Sequence, residues 1–188
     1  MKVLFVTRNS AKFNYAKPLF DSEHLQLVQK KTLFDESRDI RVKKVSEEKL
    51  NQAIKRFGRP VIVEDTGFFI PSLHGFPATF SNFVLDTIGP KGILDLAKKD
   101  RACFFESVVG ACDTRGNKKY FVQRDFGHIS NYLGQPKNGK AWSGLWQIFI
   151  PKNYAVPLSE FTKKDFKKIN LEWQTGSNFK KAARFLTK

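Results

Sequence analysis

The segment PVIVEDTG, residues 60–67, carries the strongest structural signal in this chain. Its run of β-branched residues predicts a buried strand at residues 60–64, and residues 65–67 predict a sharp turn. Because open α/β sheets bind ligands at the carboxyl ends of strands, we expect Glu64 and Asp65 to border a site that holds Mg²⁺ or activates water. Two adjacent charges are costly to bury unless they are paired or metal-bound. An ordinary acidic strand end is the alternative.

The amino-terminal segment has the same arrangement of a strand followed by a helix. Residues 2–6 form a short apolar run that predicts a strand, and Asn9 and Ser10 predict the cap of a helix at residues 11–20. Backbone N–H groups at a helix N-terminus favour anions such as phosphate. Thr7, Asn9 and Lys12 place a hydroxyl, an amide and an ammonium group there, which suit a triphosphate. On this segment alone, a capped helix with a surface lysine is the simpler interpretation.

The rest of the pattern also alternates strands with helices. Ser46 predicts the N-cap of a helix that ends at Gly58. Within this helix, the side chain of Lys49 either reaches back to the phosphates of the ligand or lies in solvent. The other predicted elements are strands within residues 25–45 and at residues 104–112, 119–125 and 146–150, helices at residues 80–88, 92–99, 159–166 and 177–186, and a glycine-rich loop at residues 134–143. Strands that alternate with helices predict one α/β domain over residues 1–188.

The composition narrows the class of protein. The chain has 188 residues, of which 41% are hydrophobic, enough for a sizeable core. The first residues lack the pattern of a signal peptide, and no apolar stretch approaches the ~20 residues of a membrane span. Cys103 and Cys112 are the only cysteines and match no zinc pattern. These features predict a cytoplasmic protein with no membrane partner.

The net charge of +15 indicates anionic partners, such as nucleotides, nucleic acid, acidic lipid or an acidic protein surface. The lysines are scattered in pairs along the chain. No RNA-binding aromatic motif, helix-turn-helix signature or zinc finger accompanies them. A nucleic-acid-binding function is therefore less favoured than nucleotide binding, and a solvated basic surface is the plain alternative.

Several blocks of this sequence, in the right order, resemble the inosine triphosphate pyrophosphatase family. VTRNSAK at residues 6–12 resembles the family's T-G-N-x-x-K opening. The block VEDTGFFIPSLHGFPATFSNF at residues 63–83 is similar to V-E-D-[ST]-G-L…L-x-G-x-P-G. GLWQIFIPKNYAVPLSEF at residues 144–161 is similar to G-[YW]-D-P-x-F-x-P…[TY]-x-[AS]-E-[LM]. SNFKKAARFL at residues 177–186 lies where the family has S-H-R-x-K-A.

The resemblance implies an inosine triphosphate pyrophosphatase-like fold, which is a long mixed twisted sheet flanked by helices, with two lobes around a nucleotide cleft. It also implies a dimer that hydrolyses ITP, dITP and XTP to the monophosphate and pyrophosphate with Mg²⁺. Carried over by position, it implies phosphate binding by Thr7, Arg8, Asn9, Lys12 and Lys49, metal binding or water activation by Asp65 with Glu64 beside it, and base contacts by Trp146, Phe149, Ser177 and Asn178.

Several positions depart from the family pattern, including Gln147, which replaces the proline of the G-[YW]-D-P block. Arg8 replaces a glycine at the phosphate turn, and Trp146 replaces the aspartate of the G-[YW]-D-P block. Asn178 and Phe179 replace the His-Arg pair that the family uses to read the base. These changes predict weaker discrimination between bases, because each lost hydrogen bond to a charged group is worth about 1.5–3 kcal/mol.

The metal-binding positions also differ. Where the family places a second metal-binding glutamate, residues 41–44 read RVKK, with Glu36 and Asp39 nearby. Mg²⁺ is usually held by one or two carboxylates together with phosphate oxygens. Losing one of two acids weakens the hold on the metal, so binding of a triphosphate is expected to survive better than its hydrolysis.

Three interpretations follow from the sequence. The first is a protein that binds ITP, dITP or XTP with weakened or lost hydrolysis. It would act as a nucleotide sensor or regulatory subunit, either as a homodimer or in a hetero-complex. Proteins that resemble this family have such a role in antiphage defence, beside a partner that cleaves NAD. The second is an active Mg²⁺-dependent nucleoside triphosphate pyrophosphatase. The third is a basic nucleic-acid-binding module on this fold.

Overall fold

The computed structural model describes residues 1–34, 39–98, 100–137 and 143–188. In these ranges the strands are β1 (Lys2–Val6), β2 (Gln26–Lys30), β3 (Val61–Phe69), β4 (Pro77–Ala78), β5 (Ala102–Cys112), β6 (Lys118–Ile129) and β7 (Phe149–Pro151). The helices are α1 (Ser10–Asp21), α2 (Val42–Phe57), α3 (Ser81–Thr87), α4 (Gly89–Leu96), α5 (Lys163–Gln174) and α6 (Asn178–Leu186). Short 3₁₀ turns lie at Pro71–Leu73, Gly144–Gln147 and Leu158–Glu160.

The strands form one mixed sheet in the order β2-β1-β3-β5-β6-β7, and β4 pairs with β3. β1 is parallel to both of its neighbours, with Leu4 opposite Val61 and Val3 opposite Leu27. β4 is antiparallel to β3, and β7 is antiparallel to β6. The predicted α/β class, a mixed sheet flanked by helices, is confirmed.

The described chain divides into two compact units. Unit 1 comprises residues 1–66, 107–123 and 173–188, and unit 2 comprises residues 67–106 and 124–172. The prediction of a single domain over residues 1–188 stays a prediction. No helix in the described ranges is both long and apolar enough to cross a membrane.

Unit 1 is built around β1 and β3, which have a helical layer on each face. Val3, Phe5 and Ile62 pack with α1 and α6 in one buried cluster. Val6 and Val63 pack with α2 in another. Strands covered on both faces need apolar residues at successive positions, which explains why these segments read as continuous apolar runs rather than as an alternating pattern.

Unit 2 has an aromatic core. The ring of Phe68 lies 4.7 Å from that of Phe105, and the ring of Phe149 lies 4.8 Å from that of Phe105 in an edge-on arrangement. Such pairs contribute about 0.5–1.5 kcal/mol beyond the burial of their area. The phenylalanines of these strands, such as Phe68, Phe105 and Phe149, therefore stabilise the sheet.

Two boundaries near the candidate site differ from the sequence expectation. α2 begins at Val42 and not at Ser46, which is buried inside the helix, because the apolar spacing that faces the core extends back to Val42 and Val45. β3 continues through residues 65–67, where a turn was predicted. The reason is the pairing of its distal end with β4, where Phe68 lies opposite Ala78.

The late segments also differ. Trp146 lies in a 3₁₀ turn, and β7 begins only at Phe149 and includes Pro151, one residue beyond the predicted end of the strand at residue 150. α5 begins at Lys163, because the 3₁₀ turn at Leu158–Glu160 takes the place of its predicted first turn. Part of the predicted glycine-rich loop, residues 138–142, lies outside the described residues.

Phe179 generates a stability prediction. Its ring is 5% exposed and packs edge-on against Phe5 at 5.5 Å, so Phe179→Ala is expected to lower the free energy of unfolding by about 3–5 kcal/mol. The matched control is Phe83→Ala, at a side chain that is 67% exposed on α3. Urea denaturation of both variants measures the difference. Equal losses in the two variants would contradict the packing of Phe179 in the core.

Candidate functional site

The pleat of β3 separates the two candidate carboxylates. Side chains of a strand alternate between its faces, so Glu64 and Thr66 share the face of Ile62, which packs with α1, whereas Asp65 shares the face of Val63, which packs with α2. Each carboxylate therefore meets a different helix. The site consists of two ion pairs, one on each side of the strand.

On the α1 side, Lys12, Glu64 and Thr66 form a compact cluster. The Nζ atom of Lys12 lies 2.6 Å from Oε2 of Glu64 and donates a hydrogen bond to Oγ1 of Thr66 at 3.1 Å. The hydroxyl of Thr66 donates in turn to Oε1 of Glu64. The Glu64 side chain is almost fully buried, so this cluster supplies the partners that its charge requires. Oε2 of Glu64 forms an ion pair with Lys12 and accepts no hydrogen bond from the described residues.

On the α2 side, the ammonium group of Lys49 donates a hydrogen bond to Oδ1 of Asp65. Oδ2 of Asp65 is buried and accepts no hydrogen bond from the described residues. Burial raises the pKa of Asp65, Lys49 lowers it in part, and the neighbouring charge of Glu64 raises it further. A carboxyl group with a raised pKa and one unoccupied oxygen can accept a proton from water or hold a cation.

The amino-terminal turn is organised by its own side chains. Oδ1 of Asn9 accepts hydrogen bonds from the backbone N–H groups of Ala11 at 2.9 Å and Lys12 at 3.1 Å, which makes Asn9 the N-cap of α1. Oγ1 of Thr7 accepts one from the backbone N–H of Asn9 at 3.1 Å. Arg8 is exposed, and the first turn of α1 contains no acid. The helix N-terminus thus keeps its positive end beside Lys12.

The residues predicted to lie near the base are held by internal hydrogen bonds. Ser177 is buried and caps α6. The side-chain amide of Asn178 donates to Oγ of Ser107 at 2.8 Å, and its backbone N–H donates to Oε1 of Gln123 at 3.2 Å. In this arrangement Asn178 joins the start of α6 to β5 and β6. Roles of Ser177 and Asn178 in base recognition stay predictions.

Within unit 2, the other two predicted base contacts are packed side chains. The indole ring of Trp146 stacks on Phe166 at 5.5 Å, and the ring of Phe149 is fully buried against Phe68 and Phe105. The loss of the family's polar group at position 146 is thus accompanied by an apolar contact inside the unit. Base stacking by Trp146 and Phe149 stays a prediction.

The donor set at Asp65 fits a magnesium ion. Mg²⁺ takes oxygen ligands, usually from one or two carboxylates and from phosphate. Oδ2 of Asp65 is such an oxygen, whereas both oxygens of Glu64 already contact Lys12 or Thr66. Within the described ranges no group of three or more His, Cys, Asp or Glu residues could hold a metal. Asp39 is engaged with Arg41 at 2.6 Å, and Glu36 lies outside the described residues.

Thr66, Ser107 and Gln123 are part of these networks, although the sequence did not point to them. For Thr66 a signal existed, because a hydroxyl residue two positions after Glu64 in a strand lies on the same face as that glutamate. Ser107 and Gln123 meet Asn178 through the packing of α6 against β5 and β6, and their sequence separations of 71 and 55 residues carry no local signal.

The structure places two lysine–carboxylate pairs around β3, one of them beside the capped N-terminus of α1, and such a helix terminus favours anions. A model of the Ham1 family matches residues 3–182, and the chain belongs to this family. The resemblance to inosine triphosphate pyrophosphatases seen in the sequence is thereby confirmed.

Curated relatives and solved structures agree with this membership. The chain is 32% identical to the dITP/XTP pyrophosphatase of Methanopyrus kandleri, over 90% of this chain and 89% of that protein. It is also 32% identical to the dITP/XTP pyrophosphatase of Pyrococcus horikoshii, over 86% of each. A Ham1 protein from Coxiella burnetii has a similar fold, with a TM-score of 0.81, 16% identity, and coverage of 100% of this chain and 98% of that one.

The Thr66 hydroxyl generates a prediction. Thr66→Val keeps the shape of the side chain but removes the donor to Glu64, so a buried carboxylate oxygen loses its hydrogen bond. The variant is expected to lose about 1–3 kcal/mol of unfolding free energy in urea denaturation, whereas Thr66→Ser retains the hydroxyl and the stability. Equal stability of the valine and serine variants would contradict a stabilising role for the hydrogen bond from Thr66 to Glu64.

The pKa of Asp65 generates a second prediction. A carboxyl group whose pKa is raised by folding stabilises the folded state in acid, below its unfolded pKa, and this contribution is lost as the pH rises through the folded pKa. At pH 7 the buried carboxylate therefore opposes folding. In EDTA, Asp65→Asn is expected to melt at a higher temperature than the wild type at pH 7, with the difference shrinking below pH ~4. A lower melting temperature at pH 7 would show that the attraction of Lys49 outweighs burial.

Proposed function

We propose that this chain binds a non-standard purine nucleoside triphosphate, of the ITP, dITP or XTP type, and hydrolyses it to the monophosphate and pyrophosphate with Mg²⁺. The observation that carries the proposal is the pair of contacts around β3, Lys12 with the buried Glu64 and Lys49 with the partly buried Asp65. The names of the archaeal relatives, dITP/XTP pyrophosphatases, support the same reaction and substrate class.

The lysines suit the phosphate end of such a substrate. Lys12 lies beside the positive N-terminus of α1, and both ammonium groups are partly accessible, with side-chain exposures of 21% for Lys12 and 16% for Lys49. Each can turn from its carboxylate to a phosphate oxygen, because phosphate offers a charge-assisted hydrogen bond of comparable strength. Arg8, exposed at the same turn, adds positive charge.

Asp65 suits the chemical step. Release of pyrophosphate requires a water oxygen to bond to the α-phosphorus while the bond from that phosphorus to the bridging oxygen breaks and the leaving pyrophosphate takes the electron pair. A base must accept the proton of the water, and the raised pKa of Asp65 brings it closer to neutral pH, where a general base works best. Lys49 holds Oδ1, which leaves Oδ2 to face the water or the metal.

Mg²⁺ held by Oδ2 of Asp65 and the phosphate oxygens would neutralise charge and help to orient the triphosphate. Glu64 acts differently in this proposal. Its oxygens contact Lys12 and Thr66, so it positions the ammonium group of Lys12 at the start of the phosphate-binding turn. This division of roles follows from the two faces of β3.

A second candidate function is binding without turnover, as a nucleotide sensor or regulatory subunit. The observation that favours it is the internal engagement of Asn178 and the burial of Phe179, at positions where the family reads the base with polar groups. In that case the protein would act in the cytoplasm as a homodimer or in a hetero-complex, with antiphage defence beside an NAD-cleaving partner as one setting.

A nucleotide panel separates the two functions. With Mg²⁺ present, ITP, dITP, XTP and ATP are each tested for pyrophosphate release and, by calorimetry, for binding. Turnover of a non-standard purine nucleotide at about 1 s⁻¹ or more supports the pyrophosphatase. Tight binding without release of pyrophosphate supports the sensor and refutes the proposed hydrolysis. Absence of binding refutes both.

Asp65→Asn is expected to reduce turnover by about 10²–10⁴-fold while the protein stays folded, because the amide cannot accept the proton of the water. The matched control is Asp21→Asn, at an exposed aspartate of α1 that pairs with Lys17. This control is expected to retain wild-type turnover. Undiminished turnover of Asp65→Asn would remove Asp65 from the catalytic role.

A further inference from the structure

Five cationic residues lie at the end of unit 1 where β3 begins. Lys55 and Arg56 lie in the last turn of α2, Arg59 precedes β3, and Arg115 and Lys118 lie in the turn between β5 and β6 and at the start of β6. All five are exposed. We call this surface the basic tip.

Local packing holds the two parts of the basic tip together. Nζ of Lys118 donates a hydrogen bond to Oδ1 of Asn51 on α2 at 2.6 Å. The guanidinium of Arg59 lies against the backbone of Gly116, where an added Cβ would fall 2.0 Å from Nη1. Gly116 has φ of +96°, so both its conformation and this close approach require glycine. These contacts therefore fix the turn between β5 and β6 against the end of α2.

The segments that form the basic tip contain almost no acidic residues. Within residues 51–60 and 112–119 the only acid is Asp113, which is buried. Its carboxylate accepts hydrogen bonds from the backbone N–H and the side-chain amide of Asn117, both at 2.8 Å, and lies 3.4 Å from Nε of Arg115. Lys55 and Arg56 also complement the negative end of the α2 dipole, but this effect does not account for the other three cations.

Unit 1 carries most of the excess positive charge of the chain. It holds 21 lysines and arginines against 10 aspartates and glutamates, a balance of +11 out of the total of +15. The candidate phosphate site uses few of these cations. The basic tip lies at the opposite end of the β3 segment from that site, because the five residues from Arg59 to Glu64 span about 16 Å at ~3.3 Å per residue.

We propose that the basic tip binds the phosphodiester backbone of nucleic acid without regard to base sequence. Its three arginines offer the planar donor pairs that match phosphate oxygens. No large apolar side chain of the tip is exposed in the described residues, so the surface lacks the apolar groups that anchor proteins in lipid or at protein interfaces. This role is separate from nucleotide hydrolysis and does not rest on it.

The lysines of α5 provide a contrast. Lys163, Lys164, Lys167 and Lys168 are equally exposed, but Asp165 lies on the same helix, and Lys164 and Lys168 help to lower its pKa. Three acids, Glu160, Asp165 and Glu172, lie within residues 158–174 with these four lysines, and acids interspersed among lysines weaken the attraction of a polyanion. The α5 cluster is thus a matched surface of similar cation number for which no nucleic-acid binding is expected.

The experiment measures fluorescence anisotropy of a short, labelled DNA duplex of mixed sequence with the full chain, between about 50 and 200 mM salt. Binding by five cations predicts that the logarithm of the affinity falls against the logarithm of the salt concentration with a slope of about −4.5, since each neutralised phosphate contributes about −0.9. The dissociation constant is expected in the range of about 1–100 µM.

Two triple variants with the same change of charge test the location. Arg56→Glu, Arg115→Glu and Lys118→Glu together are expected to weaken binding by at least about tenfold and to reduce the slope by about 3. Lys163→Glu, Lys164→Glu and Lys167→Glu together are expected to leave the slope near the wild-type value. Pyrophosphate release from ITP, if the wild type shows it, is expected to be unchanged in both.

Equal weakening by the two triple variants would overturn the proposal, because it would mean that binding follows net charge alone. Absence of binding to the duplex would also overturn it, as would binding only to phosphatidylserine vesicles. If the first variant fails to fold by circular dichroism, the single variant Lys118→Glu replaces it, with an expected reduction of the slope by about 1. Each of these results is independent of whether the chain hydrolyses nucleotides.

Discussion

The alternation of side chains along β3 is the constraint on which the candidate site depends. Glu64 and Asp65 lie within β3, and the pleat sends them to opposite faces, where each would be an uncompensated charge among apolar side chains. Lys12 on α1 and Lys49 on α2 provide the compensation. Because removing Lys12 would leave the buried charge of Glu64 unpaired, the site and the fold are tied together on the α1 face of the strand.

In this arrangement the carboxylate on one face of β3 serves mainly stability, and the carboxylate on the other face serves mainly function. Glu64 is satisfied by an ammonium group and a hydroxyl, and so behaves as part of the scaffold that aims Lys12. Asp65 keeps one buried oxygen without a hydrogen bond, and its pKa is raised by burial, so the folded protein bears a cost at this residue. Groups that oppose folding are commonly retained where activity needs them. The asymmetry between two adjacent carboxylates is what makes Asp65 the stronger candidate for chemistry.

Local pattern predicted the elements around the site, and non-local contacts decided its details. The apolar run of β1, the Asn9 cap and the amphipathic spacing of α6 were readable because each is set within a few residues. The continuation of β3 past Asp65 was not, since it depends on pairing with β4, and neither was the bond from Lys12 to Thr66, which joins residues 54 apart. Membership in the Ham1 family could be inferred from the order of several short blocks, none of which was specific alone.

The most direct test is the affinity of a non-hydrolysable ITP analogue, measured by calorimetry with Mg²⁺, for variants of the two lysines. Lys12→Met and Lys49→Met, once shown to be folded by circular dichroism, are each expected to bind about 10- to 100-fold more weakly than the wild type, since each loses a charge-assisted hydrogen bond to phosphate. Lys17→Met, at an exposed lysine of α1, is the control and is expected to bind like the wild type. Wild-type affinity in both Lys12→Met and Lys49→Met would contradict a triphosphate site built on the two faces of β3.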